Sequence, residues 1–439
     1  MTSTTTQRPA STATGTARNA AIDADRWPEL DAPPRAGIKS RAATAIFRHA
    51  VNRVRLRAVL PDGTVHGADA PGDAPTMRVV DADSFFRRLG TLGSIGFGES
   101  YLAGDWHAER AGRRDSDALA AVLTALAERL TVLVPQPLQK LRRWYDARHP
   151  DGERNTISGA RSNIHRHYDL SNDLFALFLD KTMTYSSAWF DAAGTEPPAY
   201  ADLADAQRRK IDGILDLARV GPRSQVLEIG TGWGALAIRA AQRGAQVTSL
   251  TISAEQKRLA EEHIADACLS DRISVRLNDY REVVGFFDAV VSVEMVEAVG
   301  EAYWPAYFEA IDRMLKPGGR VGIQAITMPH DRMLATRNSY TWIHKYIFPG
   351  GIIPSLRAID QTLAVHTSLR VVEQRSLRAD YAETLRLWRH RFLQRYDAVR
   401  ALGFDDVFVR MWEFYLAYSE AGFRAHYLGV SQLGLARDR

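Results

Sequence analysis

The segment 225–235, QVLEIGTGWGA, constrains the fold of this chain more than any other part of the sequence. A short apolar run ends in Gly230, Gly232 and Gly234, and an amphipathic stretch begins directly after them. This order predicts a β-strand, a tight turn and a helix. A side chain at any of the three glycines would hold a ligand away from the backbone. The turn therefore predicts a site where a nucleotide-like molecule lies against the chain.

Two cofactors fit this turn. The spacing of Gly230, Gly232 and Ala235 matches a relaxed dinucleotide fingerprint, which would place a pyrophosphate at the N-terminus of the next helix. Glu228, an acid just before the glycines, instead matches the first motif of class I methyltransferases, which bind S-adenosylmethionine (SAM). A dinucleotide site also requires an acid about 20 residues further on, where this chain has Thr and Ile at 251–252. The pattern favours SAM over a dinucleotide or a turn without a ligand.

Length and composition set the class of protein. A chain of 439 residues is long enough for about two or three domains. Its hydrophobic fraction of 46% and charged fraction of 25% are those of a soluble globular protein, and no apolar run is long enough to cross a bilayer. The single Cys268 excludes a disulfide within the chain and a cysteine-based metal cluster, which predicts a cytoplasmic location.

A basic segment near the N-terminus indicates an anionic partner. No acid lies between Asp31 and Asp62, whereas seven basic residues do: Arg35, Lys39, Arg41, Arg48, Arg53, Arg55 and Arg57. Residues 38–51 predict a helix, and residues 54–64 predict a hairpin. The predicted helix has basic residues on one side and these apolar residues on the other: Ile38, Ala42, Ala45, Ile46 and Val51. Stacking aromatics and nucleic-acid motifs are missing from this segment, so an anionic phospholipid surface is favoured over nucleic acid and over a merely solvated face.

A pair of histidines, His165 and His167, is spaced like metal ligands. No third ligand lies at a suitable spacing, so no metal site is predicted. After Gln225, strands and helices alternate, with further strands predicted at 273–278, 288–293 and 320–327. Such alternation predicts a parallel sheet with helices on both faces and a ligand at the carboxyl ends of the strands.

Several motifs together are more specific than the glycine turn alone. From about Gly93 to its end, the chain resembles the cyclopropane-fatty-acyl-phospholipid synthase family of SAM-dependent methyltransferases, which includes the tuberculostearic-type branching enzymes. The resemblance is carried by GESYL at 98–102, HYDL at 167–170, YSSAW at 185–189, EIGTGWG at 228–234, LTIS at 250–253 with Gln256, VE at 296–297, IFPGG at 347–351 and YAETL at 381–385.

The resemblance implies a fold and a domain plan. The fold is α/β, a class I SAM-dependent methyltransferase with a doubly wound, mostly parallel seven-stranded sheet, plus a smaller N-terminal α+β domain. The predicted plan is a disordered tail (1–35), a lipid-recruiting domain (36–145), a linker (146–163) and a methyltransferase domain with acyl-binding insertions (164–439). The apolar segment 328–354 and later aromatic residues are candidates for the acyl site.

The resemblance also implies positions around SAM. Those around its methionine part are Tyr185, Ser186, Gly230, Gly232 and Gly234, with Glu228 on the preceding strand. Those around the ribose and adenine are Thr251, Ile252, Gln256, Asp279, Tyr280 and Val293.

The chemistry predicted for the site is attack of an alkene on the electrophilic methyl group of SAM. This leaves a carbocation, so the site must exclude water and provide a base for one proton. By resemblance, Glu297 is a ligand of the bicarbonate that serves as this base, and Tyr381 lies beside the reacting carbon. From the residues alone, Glu297 is the candidate for the charged group because it lies where the fourth strand reaches the cofactor edge; the alternative is that it only favours the N-terminus of the next helix. From the residues alone, Tyr381 is as readily a core aromatic as a catalytic one.

Three positions depart from the family pattern. Ser187 replaces a cysteine, Ala298 replaces a histidine, and Gln324 replaces another histidine. A glutamine can hydrogen-bond an anion but cannot titrate near neutrality, so either bicarbonate is held differently or another group takes the proton. Loss of a proton from the transferred methyl group closes a cyclopropane ring, whereas loss after a hydride shift leaves a branch. The sequence does not choose between a cyclopropane and a branched product.

The overall prediction is transfer of a one-carbon unit from SAM to an unsaturated acyl chain on phospholipid. The enzyme would be cytoplasmic and associate peripherally with the inner face of the membrane, and the resemblance suggests a homodimer. Two alternatives remain: a methyltransferase acting on a soluble small molecule, and a non-catalytic lipid-binding protein with a relic SAM site.

Overall fold

The computed structural model describes residues 22–35, 37–67, 74–129, 171–190 and 196–437. The predicted linker at 146–163, the histidine pair and the HYDL motif lie outside these residues. In the described part of the chain, no three His, Cys, Asp or Glu side chains are grouped so that they could hold a metal ion. None of the helices described is long and apolar enough to cross a membrane.

The N-terminal unit is a small α+β fold built on a five-stranded sheet with the strand order β2-β1-β3-β4-β5. The antiparallel pair of β1 and β2 is the predicted hairpin. The strands are β1 Arg57–Val59, β2 Val65–His66, β3 Thr76–Val79, β4 Trp106–Arg110 and β5 Arg113–Arg114. The helices of this unit are Pro28–Asp31, Gly37–Val51, Ala82–Ala103 and Ser116–Glu128.

Two predictions for this unit need correction. The helix Gly37–Val51 forms, but it buries Ala43, Phe47, Ala50 and Val51, whereas Ile38 and Ile46 on the predicted apolar side are 85% and 42% exposed. The disorder predicted for residues 1–35 does not extend to Pro28–Asp31. Leu30 is buried there, and the Arg88 guanidinium donates to the carbonyl oxygen of Leu30 at 2.8 Å.

The C-terminal unit is built on a seven-stranded sheet with the order β11-β12-β10-β9-β6-β7-β8. Neighbouring strands from β10 to β8 run parallel, whereas β12 is antiparallel to both β10 and β11. These strands are β6 Gln225–Ile229, β7 Gln246–Thr251, β8 Ile273–Leu277, β9 Phe287–Val293, β10 Leu315–Thr327, β11 Leu369–Ser376 and β12 Gly429–Arg437. The predicted doubly wound, mostly parallel sheet is confirmed.

Helices flank this sheet because the parallel strands need crossover connections. Their starts carry local caps; for example, the Ser253 hydroxyl accepts the Gln256 backbone N–H. The α-helices are Asn172–Phe178, Leu203–Leu217, Ala235–Gln242, Ala254–Asp266, Val296–Val299, Trp304–Met314, His330–Thr336, Trp342–Tyr346, Leu356–His366, Arg378–Gln394, Tyr396–Ala401 and Asp406–Arg424.

The two units share one apolar core instead of meeting as separate bodies. One buried cluster joins residues of the N-terminal sheet and helices to the helices Arg378–Gln394 and Asp406–Arg424. Within it, Phe414 lies 5.4 Å from the Tyr101 ring and 4.8 Å from the Trp342 ring, measured between ring centroids. Among the later aromatic residues suggested for an acyl site, Trp388, Phe392, Trp412 and Phe414 are buried in this core, whereas Tyr396 and Tyr418 are exposed.

Candidate active site

The site lies at the carboxyl ends of β6, β7, β9 and β10. The strand order places β6 between β7 and β9. The chain runs from β6 through β7 to β8 on one side and then crosses back to β9 on the other side of β6, so the strand order reverses at β6. A crevice forms at such a switch point, outside the carboxyl ends of the strands. Segments at residues 185–189 and 378–394 close this edge, because Ala188 and Phe190 donate backbone N–H groups to Thr384 and Asp380.

The glycine turn has the predicted strand–turn–helix form. Gly230, Gly232 and Gly234 have φ values of 98°, 52° and 94°, a region that favours glycine. The backbone N–H groups of Gly230 and Thr231 both donate to the carbonyl oxygen of Leu250, at 3.0 and 2.9 Å. A Cβ at Gly232 would have no heavy atom within 4 Å, whereas a Cβ at Gly230 or Gly234 would meet Met295 or Ala260. Of the three glycines, only Gly232 therefore borders open space in which a ligand can lie.

Glu228 lies beneath this turn and not at its open side. Its carboxyl group accepts from the Ser249 hydroxyl, which is 2.7 Å from the Thr231 hydroxyl. Burial raises the pKa of Glu228 to about 8, against the lowering effects of Ser249 and the Lys210 ammonium. The contacts connect Glu228 to the base of the turn, and its predicted role at the cofactor stays a prediction.

The residues predicted around the ribose and adenine surround the ends of β7, β8 and β9. The Thr251 hydroxyl donates to the Gln256 side-chain oxygen at 2.9 Å, with Ile252 beside it. Asp279 caps the short 3-10 helix Tyr280–Glu282 and forms an ion pair with Arg281 at 2.6 Å. Val293 is the last residue of β9. The structure brings these residues to the same edge as the glycine turn.

The methionine-side residues pack against the aromatic core. The Tyr185 and Tyr415 hydroxyls are 2.6 Å apart, and the Tyr185 ring lies 5.3 Å from Trp388. The Ser186 hydroxyl accepts from the buried Lys210 ammonium at 2.6 Å. Burial lowers the pKa of Lys210 to about 8 although nearby carboxylates oppose this.

Glu294 is the functional candidate that sequence reasoning missed. Its carboxylate accepts three hydrogen bonds: from the Ser187 backbone N–H at 3.0 Å, the Gln324 side-chain amide at 2.8 Å and the Tyr381 hydroxyl at 2.7 Å. The residue directly follows β9 and has a φ of 52°, unusual for a residue other than glycine. Three residues predicted for catalysis therefore converge on a fourth, which was passed over in favour of Glu297.

The donors around Glu294 are themselves fixed. Gln432 on β12 donates its amide N–H to the Gln324 side-chain oxygen at 3.1 Å, so the Gln324 amino group faces Glu294. The Ser187 hydroxyl donates to the Ala188 carbonyl, and only its backbone N–H reaches Glu294. Burial and the Glu294 charge raise the pKa of Tyr381 well above its usual value, so its phenol keeps its proton.

Glu297 lies one turn further along, on the short helix Val296–Val299. Its Oε1 accepts from the Ile326 backbone N–H, and among the described residues its buried Oε2 has no hydrogen-bond partner. Burial, together with the charge of Glu294, raises the pKa of Glu297 to about 8. Two neighbouring carboxyl groups in one enclosed site tend to hold different protonation states. Burial raises the pKa of Glu294 as well, but its three hydrogen-bond donors oppose that rise, whereas one backbone N–H donates to Glu297.

The residues present fit SAM. The turn supplies open backbone at Gly232, the tip of β7 supplies the Thr251 hydroxyl, and the helix that follows supplies the Gln256 amide. The ribose position lacks the acid that a dinucleotide requires. The donor set therefore suits a sulfonium nucleoside with an adenine base.

Comparison with known proteins identifies the family. Residues 156–433 match the family model described as mycolic acid cyclopropane synthetase. The chain is 53% identical over 424 residues to the tuberculostearic acid methyltransferase UfaA1 of Mycobacterium tuberculosis, covering 96% of this chain and 97% of the relative. It is 35% identical over 371 residues to the cyclopropane-fatty-acyl-phospholipid synthase of Escherichia coli, covering 83% of this chain and 89% of the relative.

Solved structures agree with the sequence comparison. The cyclopropane synthase MmaA2 of Mycobacterium tuberculosis superposes with a TM-score of 0.57 at 29% identity, covering 63% of this chain and 98% of that one. The mycolic acid cyclopropane synthase CmaA1, complexed with S-adenosylhomocysteine (SAH), gives the same TM-score and identity and covers 63% of this chain and 97% of that one. The cofactor of this fold is SAM. The chain therefore belongs to the mycolic acid cyclopropane synthetase family, as a SAM-dependent methyltransferase of the fatty-acyl-modifying kind.

Proposed function

We propose that this enzyme transfers a one-carbon unit from SAM to the double bond of an unsaturated acyl chain on phospholipid and leaves a methylene branch. The observation that carries the proposal is the enclosed group of Glu294, Tyr381 and Gln324 beside the glycine turn. A buried carboxylate next to aromatic rings suits a reaction that passes through a cation and ends in proton loss. The relative of 53% identity is named a tuberculostearic acid methyltransferase, which supports the branch.

The chain's own residues would act on the charge that develops in the acyl chain. SAM would supply an electrophilic methyl group, and the electrons of the broken carbon–sulfur bond would stay on the sulfur of the SAH that leaves. The aromatic rings of Tyr185, Trp388 and Tyr381 lie within one packed group, with centroids 5.3 and 6.3 Å apart. Such rings stabilise a cation through their faces, and their close packing excludes water.

Ring and branch differ in what precedes proton loss. In both outcomes the departing proton comes from the transferred methyl group. For a cyclopropane, the released electrons bond to the neighbouring cationic carbon. For a branch, a hydride first moves between the two former alkene carbons, and the electrons then form a methylene double bond. The position of the base relative to the methyl group and the cation therefore selects the product.

The N-terminal helix supports recruitment to a lipid surface. Ile38 and Ile46 are exposed, and the exposed residues Lys39, Arg41 and Arg48 flank them on the same helix. An apolar strip bordered by basic residues is typical of helices that lie in a membrane interface. Each basic residue near an anionic surface contributes about 1 kcal/mol.

Product analysis tests the reaction. Purified enzyme with SAM and vesicles of a monounsaturated phospholipid is expected to yield an acyl chain heavier by one CH₂ unit, with fragmentation that locates a methylene branch. Tandem mass spectrometry distinguishes this from the isomeric cyclopropane. A ring would refute the branch, and faster turnover of free fatty acid than of phospholipid would refute the lipid substrate.

Binding to vesicles tests the surface. The double variant Ile38→Asp with Arg41→Ala is expected to bind anionic vesicles at least about tenfold more weakly in a flotation assay, since it loses apolar contact and one basic residue and gains one acidic residue. Val365→Asp is the matched control, because Val365 is 75% exposed on a helix of the other unit. Equal binding by both variants would contradict the assignment of this helix.

A further inference from the structure

We propose that the carboxylate of Glu294 is the base that removes the proton, in place of a bound bicarbonate. This inference rests on the proposed function and names the group that performs its last step. It makes the base a permanent part of the chain, so turnover should not depend on an anion taken from solution.

Three hydrogen bonds hold the Glu294 carboxylate in place. One carboxylate oxygen accepts from the Ser187 backbone and the Gln324 amide, and the other accepts from the Tyr381 hydroxyl. All three donors are brought in from distant parts of the sequence. A carboxylate that accepts several hydrogen bonds at 2.7 to 3.0 Å is held in one orientation, as a base must be.

The donors to Glu294 come from positions that the family resemblance places at the reaction site. By the family resemblance, the backbone at Ser187 and the residue at 324 lie near bicarbonate, Tyr381 lies beside the reacting carbon, and the neighbouring Glu297 is a ligand of bicarbonate. In this chain the first three already bind the Glu294 carboxylate. A carboxylate and bicarbonate present the same planar pair of oxygens, so the side chain satisfies donors that would otherwise hold the free anion.

A glutamine at position 324 suits a base that is part of the chain. A glutamine amide donates a hydrogen bond at every pH, whereas a histidine can also release or take a proton. An exchangeable anion that must arrive and leave with a proton gains from a titratable partner. A carboxylate fixed in the chain needs only a constant donor, and Gln432 holds the Gln324 amide in that orientation.

The electrostatic surroundings suit an ionised Glu294 beside a neutral Glu297. The titratable groups facing Glu294 are Glu297, Tyr381 and Lys210. Burial raises the pKa of Glu294, while its hydrogen-bond donors and Lys210 oppose that rise. A base with a raised pKa accepts a proton more readily than an exposed carboxylate does.

The proton balance is complete without a further reactant. The alkene electrons form the new carbon–carbon bond, and the carbon–sulfur electrons leave with the sulfur. After the hydride shift, a C–H bond of the transferred methyl group breaks, and its electrons form the methylene double bond. The proton goes to Glu294, which becomes a neutral carboxylic acid and returns its proton to solvent before the next turnover.

Anion dependence and chemical rescue test this assignment. In buffer purged of carbon dioxide, wild-type turnover of SAM with unsaturated phospholipid should equal that in about 10 mM bicarbonate, a concentration above the Kd of a ligand that binds in the mM range. Glu294→Gln should lose at least about a hundredfold in kcat, the typical contribution of a general base. Glu294→Gly suits the left-handed backbone at this position, and added bicarbonate or formate should restore part of its activity. Glu262→Gln is the control, because it makes the same change at an exposed carboxylate on the helix Ala254–Asp266.

Three outcomes would overturn the proposal. They are a wild-type requirement for bicarbonate, full activity of Glu294→Gln, and a Glu294→Gly variant that binds SAM but is not rescued by either anion. The wild-type measurement decides the question even if neither variant folds. Absence of any wild-type product would refute the proposed function itself, whereas product formation that requires bicarbonate would refute only the role of Glu294.

Discussion

Replacement of Arg389 by methionine is expected to lower the free energy of unfolding by about 3 kcal/mol or more. Arg389 is fully buried. Its guanidinium donates to Glu420 at 2.8 Å and to Asp117 at 2.9 Å, and it also donates to the Ser116 hydroxyl. Removal of one member of a buried ion pair leaves the other charge uncompensated. Because Ser116 and Asp117 begin an N-terminal helix, the loss also weakens the contact between the two units.

Urea unfolding followed by far-UV circular dichroism measures this effect. Arg208→Met is the matched control, since Arg208 pairs with Asp205 at the surface and should change stability by less than about 1 kcal/mol. The double variant Arg389→Met with Glu420→Gln should regain part of the loss, because the buried Glu420 carboxylate, which keeps only the partly exposed Arg424 as an ion-pair partner, is then replaced by a neutral amide. A cost for Arg389→Met as small as that of the control would show that the buried network contributes little.

Substitution of alanine at Gly230 and Gly232 should separate the folding and binding roles of the glycine turn. At Gly230 a Cβ would lie 2.8 Å from the Met295 side chain at a φ of 98°, so Gly230→Ala should destabilise the fold by about 2 to 4 kcal/mol. At Gly232 the Cβ meets no atom within 4 Å, and the left-handed backbone costs about 1 kcal/mol. Its methyl group should instead obstruct SAM and weaken binding at least about tenfold.

Isothermal titration calorimetry with SAM and thermal unfolding measure the two effects separately. Gly403→Ala is the control, because Gly403 has a similar φ of 93° with open space around it and lies far from the turn in sequence. It should lose stability through backbone strain but keep its SAM affinity. If Gly232→Ala binds SAM as the wild type does, the ligand does not lie against the turn at that position.

The parts of the fold that sequence predicted are those with short-range signals. The strand, glycine turn and helix at 225–242 are read within one segment, because their pattern depends on neighbouring residues. Alternating strands and helices then require a parallel sheet. The antiparallel insertion of β12 between β10 and β11 has no such local signal, since it depends on pairing across the whole domain.

The candidate site shows the same limit. Glu294 and Glu297 lie three positions apart, and both were visible in the sequence. Only the left-handed backbone at Glu294 directs its side chain toward donors that come from residues 187, 324 and 381. That conformation and those contacts are tertiary properties, so composition and spacing could not choose between the two acids.

The N-terminal helix shows why an apolar stripe does not reveal its partner. Helical periodicity grouped Ile38 with Ala42, Ala45 and Ile46, whereas the fold buries the adjacent face around Phe47. Both faces contain apolar residues, and packing against the helix Ala82–Ala103 selected one of them. The face with Ile38 and Ile46 is exposed.

The shared core constrains how the two units of this protein can evolve. Helix Asp406–Arg424 carries Tyr415, which meets Tyr185 at the site, and Glu413, which accepts from Tyr101 of the N-terminal unit. A separable module could be lost, duplicated or exchanged between proteins with little effect on the remainder. This N-terminal unit cannot be exchanged so simply, because it forms one wall of the aromatic core that supports the reaction centre. Its outer surface can vary independently, while its inner face must vary together with the helices Arg378–Gln394 and Asp406–Arg424 against which it packs.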